Sequence, residues 1–205
     1  MGSYRLRGEE QLLVDLAEDP GFARELAERL ADYTIPVGIQ VAAEMGARGT
    51  AFWVYDELAS RHGPLMSPSC FQRVYLEPYR RALAAWRAAG IPHIVLHCDG
   101  NSMPLLELLA EAGFDGLIPV APSTGMWLPD VRKRWGRRFV LIGGMCNIQT
   151  LPRGGRAEIA AQARAIVEAG RQGGIIIGSH SIDEDIPEEN YDYYCAVLDE
   201  CDAAW

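Results

Sequence analysis

Histidine and carboxylate meet at two places in this chain where an apolar run ends, and metal sites and acid–base sites are made from that pairing. The first place is Leu96-His97-Cys98-Asp99-Gly100-Asn101. Side chains on a strand alternate faces with a period of two, so His97 and Asp99 share one face and Cys98 takes the other. Cys98 then packs beneath a helix, a common fate of a free cysteine. Gly100 permits the sharp exit that frees the preceding side chains, although Asp99-Gly100 also reads as a plain turn pair. The second place is Ile177-Gly178-Ser179-His180-Ser181-Ile182, which runs on through Asp183, Glu184 and Asp185 to Pro187-Glu188-Glu189-Asn190. His180 stands at the rim of what reads as a buried strand. His97, Asp99 and His180 together offer two imidazoles and one carboxylate, a recognised open set for a divalent metal such as zinc. The same trio suits acid–base work on a substrate near neutral pH, with no metal.

Other candidates carry less. Asp56 follows an apolar strand and is placed to bind substrate or a metal, while Glu57 points the opposite way by alternation. His62 in a Gly-Pro loop and His93 at a strand start read as structural or solvated. Glu188 and Glu189 suit the N-terminus of a helix opened by Pro187. Cys146, after Gly143-Gly144, reads as packed, and Cys195 and Cys201 as core residues of the last helix.

Elements that would position these residues are legible in the hydrophobic pattern. Leu12, Leu13, Leu16, Phe22, Leu26 and Leu30 recur at helical spacing over about 8–45, with Asp19-Pro20 dividing two helices and Gly46 and Gly49 ending the stretch. The runs 51–55, 93–97, 116–120, 139–142 and 174–177 read as strands buried on both faces. Helices near 68–89, 102–112, 125–135, 156–170 and 188–201 alternate with them, and Gly90, Gly113 and Gly136 stop three of them. Such alternation means a parallel sheet with right-handed crossovers, and functional groups at the strands' carboxyl ends. About five β/α units are present, whereas a (β/α)₈ barrel has eight and runs to about 250 residues. The expectation is the C-terminal portion of a barrel, its first strands missing or supplied by another chain. An open flavodoxin-like sheet is the alternative, but no Gly-rich phosphate loop follows the first strand.

Composition narrows the class. At 205 residues, 49% hydrophobic and 23% charged, the chain fits one soluble globular domain spanning 1–205. No long apolar run and no signal peptide are seen, so the expected location is the cytoplasm. A net charge of −9 and a pI near 4.9 argue against nucleic acid as a partner. The basic cluster Arg132-Lys133-Arg134 with Arg137-Arg138 reads as a solvated helix end. Five cysteines without CxxC spacing read as free thiols.

Five motifs in series resemble the uroporphyrinogen decarboxylase (URO-D) superfamily of TIM (β/α)₈ barrels. Tyr55-Asp56-Glu57-Leu58-Ala59 with Gly63-Pro64-Leu65-Met66-Ser67-Pro68 is similar to the family's "D-D-L-A … G-P-L-x-S-P" segment. Phe71 through Pro78-Tyr79 resembles its next helix, and His97-Cys98-Asp99-Gly100-Asn101 its "H-x-C/D-G-N" strand end. Gly143-Gly144 resembles its "G-G-(I/V)-D" loop, and Gly178 to Asn190 its "G-(H/C)-(G/S)-I … P-x-E-N" segment. The resemblance implies either a methyltransferase working with a corrinoid protein or a thiol acceptor, or a metal-free decarboxylase of porphyrin biosynthesis. A truncated, non-catalytic homologue is the third possibility. In the zinc methyltransferases a His, the Cys two residues on and a late Cys hold the metal. His97, Asp99 and His180 stand at those positions, so both thiolates are replaced by harder ligands. His180 also matches a substrate-contacting His of the decarboxylases. The first segment is closer to the methyltransferase branch. Two acidic positions of the family, after "G-M" and after "G-G-x", are Trp127 and Cys146 here. Implied partners are a small-molecule substrate, a corrinoid protein, and a second copy of the chain or further barrel sequence.

Overall fold

Apolar residues at three- and four-residue spacing open the chain. In the computed structural model, which describes residues 2–46 and 50–202, they form three helices. These are α1 (Ser3–Arg7), α2 (Glu9–Glu18) and α3 (Pro20–Met45). The Asp19 carboxylate accepts from the Phe22 amide and Pro20 sits in the first turn, which is how the sequence divides α2 from α3. Gly46 ends α3 in the left-handed region; Gly49, read as a second stop, lies outside the described residues. The short α1 was not expected from the sequence.

The chain divides into two compact units, Met1–Gly116 and Leu117–Trp205. In the first, β1 (Ala51–Tyr55) is followed by a small antiparallel pair, β2 (Ala59–Ser60) with β3 (Gly63–Pro64), then α4 (Pro68–Val74), α5 (Leu76–Ala88), β4 (His93–His97) and α6 (Leu106–Ala112). The helix expected over 68–89 is therefore two. Proline at 78 has no amide for the Val74 carbonyl and its ring crowds that turn, so the chain breaks at Tyr75. β1 and β4 run parallel, paired from Ala51↔His93 to Tyr55↔His97. Among the described residues of this unit, β1 has β4 as its sole strand neighbour, and Trp53 and Tyr55 remain exposed.

Helix packing in this unit uses small residues where helices meet. Ala23, Ala27 and Ala31 are fully buried along α3, as is Ala82 on α5. Gly38 lies so close to Trp86 that a Cβ there would fall 2.2 Å from the indole nitrogen. That nitrogen donates to the Ile35 carbonyl at 3.3 Å. Beneath β1 and β4, Tyr79 packs between Phe71 (5.9 Å between centroids) and Phe114 (5.4 Å).

The second unit contains all but the first residue of β5 (Gly116–Val120), then α7 (Leu128–Trp135), β6 (Val140–Met145), α8 (Thr150–Arg153), α9 (Arg156–Gly170), β7 (Ile175–Ser179) and α10 (Glu188–Asp202). β6 and β7 are parallel, with Gly144 opposite Gly178. Ile159, Ala163, Ile166 and Val167 bury the α9 stripe read from the sequence. The basic cluster needs one correction. Arg132 is half-buried and donates to the carbonyls of Gly136 (2.6 Å) and Gly174 (2.5 Å), tying α7 to the turn before β7. Burial lowers its pKa from the usual guanidinium range. Lys133, Arg134, Arg137 and Arg138 are exposed, as expected.

Strand–helix alternation and parallel pairing in both units make this a mixed α/β fold with five parallel-type strands in the expected order. Among the described residues, no helix is long and apolar enough to cross a membrane.

Candidate functional site

Parallel pairing of β1 with β4 sets Tyr55 directly opposite His97, so both strands deliver an aromatic ring to the same carboxyl end. The two rings stack, with centroids 4.4 Å apart and planes 27° apart. His97 Nε2 lies 2.9 Å from Asp99 Oδ1. The imidazole side chain is 12% exposed and the Asp99 side chain 45%, so the pair has one foot in the protein and one in solvent. Cys98 is buried, and burial raises its thiol pKa, which leaves it the neutral form. Period-two alternation therefore describes this strand end correctly.

What holds Asp99 in place is backbone contact. A Cβ at Gly100 would fall 2.0 Å from the Ala59 carbonyl oxygen, a distance only glycine tolerates. The Asn101 amide donates to the Ser60 carbonyl at 2.8 Å, so the loop after β4 is pinned on β2.

Asp56 lies beneath this pair and is 4% exposed. Its amide donates to the His97 carbonyl at 3.0 Å. Its carboxylate accepts from the Tyr79 phenol and, at Oδ1, from the Gly2 amide at 3.1 Å. Burial pushes the Tyr79 phenol well above its ordinary pKa, with Tyr75 and Cys98 adding to the shift, so it stays a donor. Sequence reading missed Tyr55 and Tyr79. For Tyr55 the strand-end rule is a usable signal; for Tyr79, membership of the Phe71 to Pro78-Tyr79 motif gives a position but no hint of its bond to Asp56.

In the second unit the carboxyl ends of β6 and β7 carry Asn147 and Ser179 to Asp183. Asn147 Nδ2 donates to Ser181 Oγ at 2.9 Å, Ser181 Oγ to Asp183 Oδ2 at 2.5 Å, and Ser179 Oγ to the Ser181 carbonyl at 2.6 Å. His180 is exposed within this hydrogen-bonded loop. Glu188 and Glu189 occupy the first turn of α10, as their helix-dipole reading requires. His62 and His93 are exposed, and Cys146 is buried. Cys195 and Cys201 are half-buried, so the expectation of two core thiols is corrected: α10 packs through Tyr194 and Val197 instead.

The donors at the β4 end are an imidazole nitrogen and a carboxylate oxygen. That set fits a divalent ion of borderline or hard character and does not fit a thiolate-held one, because Cys98 is turned into the core.

Comparisons with known proteins bear on this arrangement. The family profile described as Uroporphyrinogen decarboxylase (URO-D) matches residues 3–201. Among solved structures, a methyltransferase from Methanosarcina mazei is similar, with a TM-score of 0.75 and 23% sequence identity. The match covers 97% of this chain and 55% of that one, so this chain spans about half the length of that methyltransferase. No curated protein matches. With the profile matching residues 3–201 of its 205, and strands and helices in the order the motifs require, the chain belongs to the uroporphyrinogen decarboxylase (URO-D) family.

Proposed function

We propose that this chain acts as a methyltransferase-like member of its family, passing a methyl group between a small substrate and a corrinoid or thiol acceptor. His97, Asp99 and His180 would hold a divalent metal such as zinc. The observation that carries this reading is the His97 Nε2–Asp99 Oδ1 pair at 2.9 Å, with Cys98 buried on the opposite face. When bound, a divalent ion would polarise an acceptor group and favour its anionic form. The protein's own groups do the positioning. Tyr55 covers one face of the imidazole and keeps water from it. Asp56, buried below, holds the end of β4 through its amide. The His180 loop is set by Asn147 and Ser181. Methyl donor and acceptor, including a corrinoid protein as partner, belong to this proposal.

A second reading is a porphyrinogen carboxy-lyase, in which the same residues handle protons and substrate carboxylates without a metal. The family profile's own description favours it. A non-catalytic homologue is the third reading. Outer-edge residues Trp53 and Tyr55, beside a groove of about 410 Å³ lined by Val37, Phe52 and Trp86, suit coverage by further barrel strands or a second copy.

Metal analysis of protein purified without chelator separates these readings. One equivalent of metal, lost in a His97→Ala/His180→Ala double variant that keeps its circular dichroism, supports the metal site. Metal-free, well-folded protein that takes up no added zinc would overturn it.

A further inference from the structure

We propose that the second unit carries a binding site for a small organic monocation, an ammonium group on a compact apolar body. A cavity of about 380 Å³ opens at the carboxyl side of β6 and is lined by Ser123, Trp127, Cys146, Thr150, Glu158 and Gln162, among others. Open α/β folds bind ligands at this end of their strands. No basic side chain of the described residues lines it, and Glu158 is its one carboxylate.

Charge and volume select the ligand class. Anions would meet Glu158 with no counter-charge. A divalent metal favours several charged oxygen ligands, and a single carboxylate among neutral hydroxyl and amide groups falls short. A monocation matches the single charge, and the Trp127 indole supplies an aromatic surface that attracts cations. Two neighbours lie against Glu158, and Gln162 adds an acceptor to the same lining. Thr150, 6% exposed, directs its Oγ1 to Glu158 Oε1 at 3.5 Å. At Gly154 a Cβ would fall 2.5 Å from the Thr150 carbonyl oxygen and 3.2 Å from Glu158 Oε2, so a glycine is what lets this turn close beside the carboxylate. Gln162 commits its amide NH₂ to the Gly144 carbonyl at 3.0 Å, which leaves its amide oxygen as the acceptor it can offer a ligand.

None of these residues belongs to the His97, Asp99 and His180 set, so a failure of the metal proposal leaves this one standing.

Calorimetry with choline chloride tests it, against 3,3-dimethylbutan-1-ol as the neutral isostere and sodium chloride as the salt control. The expected result is saturable choline binding, with the isostere weaker by roughly tenfold. Glu158→Gln and Trp127→Leu should each weaken choline by about tenfold, while Glu168→Gln, exposed on the same helix, should not change it. Choline should also shift the Trp127 indole N–H resonance. Absence of saturable choline binding, equal binding of the isostere, or an unchanged affinity in folded Glu158→Gln protein would each overturn the proposal.

Discussion

The carboxyl ends of β1 and β4 and those of β6 and β7 present polar groups from the same kind of parallel pair, yet hold them by different means. At the first, Asp56 is buried, Tyr79 donates to it from within an aromatic core, and Gly100 abuts backbone. At the second, exposed His180 sits in a loop held by serine and asparagine side chains. Packing fixes the former, whereas exchangeable hydrogen bonds fix the latter. Geometry set by core packing is costly to disturb, and geometry set by surface hydrogen bonds adjusts at little cost.

The sharpest test of that contrast is a pair of glycine substitutions. Gly100→Ala should destabilise by about 3 kcal/mol in urea unfolding, because the new methyl meets a carbonyl that cannot move alone. Its counterpart Gly178→Ala, with nothing within 4 Å of the added carbon, should stay within about 0.5 kcal/mol. Comparable losses at both positions would break the comparison. Tyr79→Phe should cost about 2 kcal/mol by removing a donor to a buried carboxylate, read from the same unfolding curves. Ser181→Ala should cost about 1 kcal/mol or less, with faster amide exchange confined to the loop after β7.

A subtler difference lies in alkaline pH. Burial raises the Cys98 thiol and the Tyr79 phenol, so the folded state keeps protons that the unfolded chain releases. Their stabilising contribution is intact below the unfolded thiol value of about 8.5 and declines as pH rises above it, with the phenol following above about 10. Cys98→Ser should flatten the first part of that decline in unfolding free energy measured from pH 8 to 10. An unaltered slope would remove Cys98 from the explanation.

Legibility of the sequence followed the range of the interactions involved. Strand ends, α9's buried stripe and the His97/Asp99 alternation depend on periodicity within a few residues, and such patterns are printed in the sequence. The split of α4 from α5 is also local, since Pro78 removes the amide that the Val74 carbonyl would need. Arg132's half-buried role, the close approach of Gly100 to Ala59 and the Tyr79–Asp56 bond join residues 23 to 42 positions apart. No local pattern announces them.

By itself, then, the sequence determined the α/β alternation, the family, and which strand ends carry His97, Asp56 and His180, because hydrophobic period and motif spacing are one-dimensional properties. Tertiary structure alone decided that Asp56 is buried under Tyr79, that Tyr55 stacks on His97, and that Trp127 and Cys146 line one cavity with Glu158. Those facts depend on which faces meet in space, and that is set only when distant segments pack to exclude water.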